Sequence, residues 1–157
     1  MLLEYSNLIN KLWSKYKTYN PFEICNLKEI PIEYKDINKP KGDTVYLFDK
    51  PIILLSDSIS ESAERYFVCA HELAHVELHN GLQSYYTQNH TTCAKTEHEA
   101  NLFALNLCEK FYEEENGKSP EYFDELHREF GVNEDMMEYL TSDRPIIWLT
   151  LKANNSE

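Results

Sequence analysis

Residues 58–81 read SISESAERYFVCAHELAHVELHNG, and their periodicity sets the architecture around them. Ala63, Tyr66, Phe67, Ala70, Leu73, Ala74 and Leu78 recur at helical intervals, the stripe of a helix that buries one face. Ser58 and Glu61 form a Ser-x-x-Glu capping box for its start, with Ser60 as an alternative N-cap. Asn80-Gly81 is a C-terminal stop. Inside this helix lies His71-Glu72-Leu73-Ala74-His75. Residues four apart share a helix face, about 6 Å apart along the axis, so His71 and His75 can converge on one ion. Glu72 projects to the side, where it can accept a proton from water activated by that ion. Apolar Val68, Ala70, Leu73, Ala74 and Val76 flank the motif. Two unpaired imidazoles at such a buried surface would be costly, which favours a metal over two idle surface histidines.

Toward the N-terminus the period changes. IPIEY, DTVYLF and PIILLS are short, β-branched and aromatic, and are separated by the turn-prone KPKGD and DK. They predict one small three-stranded antiparallel sheet, with Pro51 tolerable at an edge. Earlier still, Leu2, Tyr5, Ile9, Leu12 and Tyr16 predict an amphipathic helix, widened by Leu8 and Trp13. Asn20-Pro21 ends it and caps a short helix through Leu27.

Toward the C-terminus, residues 83–92 are polar and aromatic without period and predict a loop. A further helix buries Ala100, Phe103, Ala104, Leu107 and Phe111 and closes at Asn116-Gly117. Ser119-Pro120 opens another helix that stops at Gly131, and Asn133 caps a short last one through Leu140. The tail is expected to fray from about residue 152. The fold class is therefore α+β, mainly helical, in a single domain over residues 1–157, with the two motif helices facing one another.

Composition narrows the function classes. The net charge of −12 repels phosphate backbones and disfavours direct nucleic-acid binding, while suiting a basic protein partner. Cys25, Cys69, Cys93 and Cys108 form no Cys-x-x-Cys pair and read as reduced thiols, with Cys69 in the core. The opening MLLEYSNLINKLW lacks a basic leader, and no run approaches the ~20 apolar residues of a membrane span, so a cytoplasmic, unanchored protein is expected.

A catalytic zinc needs a third protein ligand and an open fourth position. The candidates are His79, His90, Cys93, Glu97, His98 and Glu99. His79 is about 12 Å from His71 along a straight helix, too far to share the ion, and reads as a helix-end residue favoured by the dipole. His90 and Cys93, in the loop, stay open. Thr96 and Glu99 form a capping box, which gives Glu99 a structural role. Glu97 shares a face with Asn101, whose amide could hydrogen-bond a ligating histidine. Glu97 is therefore preferred. Tyr85, Tyr86 and His90 lie between the motifs as candidate oxyanion donors, although cover for the loop or core is the better reading of them.

HELAHVELH, followed about twenty residues later by EHEANLFALNL, resembles the ImmA/IrrE family of zinc metallopeptidases, in which a helical His-Glu-x-x-His precedes a helix with Glu-x-x-Ala-[Asn/Asp]-x-Phe-Ala. His71, Glu72 and His75 match the first motif. Glu97, Ala100, Asn101, Phe103 and Ala104 match the second. The resemblance implies a gluzincin-like Zn2+ site with His71, His75 and Glu97 as ligands and Glu72 as catalytic base. It also implies cleavage of helix-turn-helix repressors of phages and integrative elements. Where the family usually continues Leu-Leu-Met-Pro, this chain has Leu107-Cys108-Glu109-Lys110, so its second helix is expected to run longer. The segment 121–140 has helix-turn-helix rhythm but seven acids against one base, and reads as a packing element. The rival to an enzyme is a non-catalytic zinc-binding or partner-sequestering module, an anti-repressor or toxin–antitoxin component. The intact Glu72 weighs against it, because a structural ion needs no carboxylate there.

Overall fold

The computed structural model describes residues 2–79 and 90–139. Helix α1 (Leu2–Tyr16) buries Tyr5, Ile9 and Leu12, while Trp13 stays exposed and stacks on Tyr19. Asn20 caps α2 (Pro21–Leu27) by accepting the N–H of Phe22, with Pro21 at the first helical position. The chain leaves α2 through Glu29 at φ 59°, where the N–H of Ile30 reaches back to the carbonyl of Cys25.

Strands β1 (Ile32–Lys35), β2 (Gly42–Leu47) and β3 (Lys50–Ser56) form one sheet in the order β1-β3-β2. The expected all-antiparallel sheet is corrected here. β2 and β3 are antiparallel, but β1 runs parallel to β3, with Ile32 opposite Ile53. The apolar β3, with Ile53 and Leu55 fully buried, takes the centre, and β1, exposed along Glu33–Lys35, takes an edge. Pro51 thus lies on the central strand and not on an edge. The N–H of Ile53 points toward β1, and Pro51, two residues back, faces the same side beyond β1's reach, so its missing donor costs nothing. Phe48 and Asp49, both at positive φ, make the two-residue turn between β2 and β3.

The predicted Ser58–Glu61 capping box is not used. Ser56 caps a single 3-10 turn, Asp57–Ile59, and α3 runs Glu64–His79, with Ser62 accepting the N–H of Glu64. Helix α4 (His90–Asn116) begins earlier than expected, so residues 90–92 are helical and Thr96 cannot be an N-cap. Without the proline stop α4 runs on to Asn116, where Gly117 turns the chain at φ 74°. Its central turns bury Ala100, Phe103, Ala104, Leu107 and Phe111 against α3 and α1. Helix α5 (Phe123–Phe130) starts three residues after Pro120 and buries Phe123, Leu126 and Phe130. The Glu125 carboxylate accepts the N–H groups of Glu121 and Tyr122 at its start. The final element, Glu134–Tyr139, is 3-10 and not α, with Asn133 accepting the N–H of Asp135. Rings of Phe22, Tyr66, Phe111 and Phe130 meet at 4.8–5.8 Å and lock α2, α3, α4 and α5 together.

Gly131 ends α5 at φ 62°, and a Cβ there would lie 2.3 Å from the Cα of Glu64. This close approach docks α5 on the start of α3. Gly131→Ala combines a left-handed backbone with a clash against immovable main chain. It is expected to cost about 2–4 kcal/mol, seen as a fall of roughly 4–16 °C in thermal denaturation.

Candidate metal centre

Helices α3 and α4 and strand β2 each bring part of the site. His71 and His75 stand one turn apart on α3, and their Nε2 atoms approach to 3.2 Å. Glu97 of α4 meets both, with Oε2 3.0 Å from His71 Nε2 and Oε1 3.0 Å from His75 Nε2. Two imidazole nitrogens cannot point protons at each other at that range. Lone pairs turned on a shared cation satisfy all three groups. The spacings also fit. Bonds of ~2.0 Å to a tetrahedral ion separate neighbouring ligand atoms by about 3.3 Å, close to the 3.0–3.2 Å found here. Among the described residues, this trio is the group of His, Cys, Asp and Glu side chains able to hold an ion.

The three groups also attract one another directly, as imidazoles and a carboxylate. Burial pulls the His71 pKa down, but the hydrogen bond to Glu97 and the charges of Glu72 and Glu97 outweigh it and leave it raised. Burial opposes ionisation of Glu97 as well, yet the two histidines hold its carboxyl far below the usual carboxylate range. Asn101 hydrogen-bonds His71 from α4, one turn beyond Glu97.

Glu72 is buried beside the trio, and its carboxylate is steered by β2. Thr44 Oγ1 donates to Glu72 Oε2 at 2.6 Å. At Gly42 a Cβ would lie 2.5 Å from Val68 Cγ1 and 3.0 Å from Glu72 Oε1, so only glycine lets the strand come this close. Burial raises the Glu72 pKa above the ordinary value despite the nearby imidazoles and Thr44. A carboxylate tuned this way holds a proton better than a surface one. The group opens into a cleft of about 650 Å³, lined also by Gly42, Thr44, Tyr46, Gly131, Asn133 and Met136.

The remaining sequence candidates fall elsewhere. His98 is exposed on α4 and is not among the converging donors. Glu99 meets His79, not the trio, with 2.9 Å between Oε2 and Nε2. His79 is thus more than a helix-end residue: its Nδ1 lies 3.1 Å from His75 Nδ1. Burial lowers its pKa against the pull of Glu99. Tyr85 and Tyr86 lie outside the described residues, as do the side chains of His90 and Cys93. Gly42 and Thr44 carried no motif. Their only advance signal was a glycine and a hydroxyl at the start of a strand upstream of the His-Glu-x-x-His helix.

A His-Glu-x-x-His helix facing a glutamate on a second helix defines a metallopeptidase-type centre. The chain belongs to the Peptidase_M78 family, whose model, the IrrE N-terminal-like domain, matches residues 25–142. It is 33% identical over 103 residues to an uncharacterized immunity region protein 2 of Bacillus phage phi105, covering 63% of this chain and 64% of that protein. It is 34% identical over 104 residues to metallopeptidase ImmA of Bacillus subtilis (strain 168), covering 62% and 60%. The matched region thus spans less than two-thirds of either relative's length. No solved structure matches. Among the described residues no helix is long and apolar enough to cross a membrane.

Proposed function

We propose that this chain is a zinc-dependent endopeptidase in which His71, His75 and Glu97 hold the ion and Glu72 is the general base. The observation that carries the reading is the convergence of three ligand atoms within 4.8 Å of one another, beside a buried, oriented carboxylate. Zinc, when bound, makes water acidic near neutral pH and polarises a carbonyl. Glu72 takes the proton from the attacking water and returns it to the leaving amine. Thr44 keeps the carboxylate in place. Burial of Glu72 keeps competing water away.

The substrate would be a protein. β2 is an outer strand of the sheet and lines the cleft, so an extended peptide could pair with it. A helix-turn-helix repressor in the cytoplasm is the favoured partner. The immunity-region relative is consistent with that choice, and the charge of −12 would attract a basic DNA-binding protein. The test is metal analysis of the purified chain, with cleavage of a co-expressed helix-turn-helix repressor, before and after chelation. Stoichiometric zinc is expected, with cleavage lost on chelation and restored by zinc. Cleavage that survives complete zinc removal would overturn the reading.

A further inference from the structure

His75 reaches toward the ion site with Nε2, and when that nitrogen ligates an ion the ring proton is left on Nδ1. That nitrogen lies 3.1 Å from His79 Nδ1, which must then accept. The proton of His79 is thereby fixed on Nε2, 2.9 Å from Glu99 Oε2, and the carboxylate accepts it. With His75 ligating, the hydrogen bonds run outward in one direction, from His75 through His79 to Glu99. His79 is almost wholly buried, at 4% exposure, and it bridges the two helices that carry the ligands.

We propose that His79 and Glu99 are positioning residues that lock His75 in its ligating tautomer and ring orientation. Ligating histidines ordinarily spend their second nitrogen on a carboxylate, carbonyl or water. Here a second histidine one helical turn along is interposed and carries the carboxylate's influence inward. His71 is oriented separately, by Asn101. Among the described residues, both of these supports end on α4, which also supplies Glu97. The Lys95 ammonium, 3.8 Å from Glu99 Oε1, adds an exposed counter-charge at the outer end.

The inference rests on the metal-site reading above, and its test separates the two. Zinc affinity is measured by chelator competition on the full-length chain, and the geometry by the visible absorption of the cobalt(II)-substituted protein. His79→Phe keeps the bulk of the buried ring but neither accepts nor donates. It is expected to lower zinc affinity about 10- to 100-fold and to alter the cobalt bands. His79→Gln can accept from His75 and donate to Glu99, and should recover most of the affinity. If His79→Phe fails to fold, Glu99→Leu serves in its place. It should weaken zinc binding and shift the cobalt bands, and Glu99→Gln should largely restore both. Zinc affinity and cobalt spectra in the apolar variants that match the parent would overturn the positioning role alone. A parent chain that binds no zinc would overturn the metal site itself.

Discussion

Glu72→Gln is expected to retain zinc at the parental level and to cut peptide hydrolysis by about 10²- to 10⁴-fold. The amide oxygen can still accept from Thr44 Oγ1, so the side chain should keep its place against β2. Its volume is unchanged, which matters where Val68 and Glu72 already crowd Gly42. Glutamine cannot take a proton. Loss of cleavage with zinc content preserved therefore isolates proton transfer from metal binding. The measurement pairs zinc stoichiometry with the rate of repressor cleavage, and parental turnover in the variant would remove Glu72 from the mechanism.

Glu97→Ala should have the largest effect on the metal. Glu97 is the acidic member of the trio and meets both imidazoles at 3.0 Å. Its loss leaves two neutral donors from a single helix. Zinc affinity is expected to fall by more than the roughly 10–100-fold typical of an outer partner. Glu99→Ala, acting only through His79, should fall within that range. Competition titrations of the two variants give the ranking, and a larger loss in Glu99→Ala would transfer the ligand role.

Much of the fold could be read from the chain because it is written in local period. The stripes of α1 and α3, the three short apolar runs and the stops at Gly117 and Gly131 each depend on neighbours within a few residues. Strand direction does not. A period of two is the same in parallel and antiparallel pairs, so β1's alignment with β3 was invisible. The Thr96–Glu99 capping pattern misled for a related reason: the same residues occur by chance inside a helix, and α4 had already begun at His90.

The centre was legible where its chemistry repeats at one helical turn. His71, Glu72 and His75 announced themselves, and Glu97 followed from sharing a face with Asn101. His79, set aside as too far along the helix to be a third ligand, stays outside the trio, but its contact with His75 one turn away went unread. Gly42 and Thr44 act on Glu72 from about thirty residues upstream, through a sheet-to-helix approach that no linear pattern encodes.

That approach has a mechanical consequence. With nothing larger than hydrogen between Gly42 and Glu72, the sheet rim and the proposed general base are held in direct register. A peptide seated along that rim would therefore find the chemistry at one fixed station. Timing would then rest with the target, through how often its scissile segment melts out of its own fold to be threaded there.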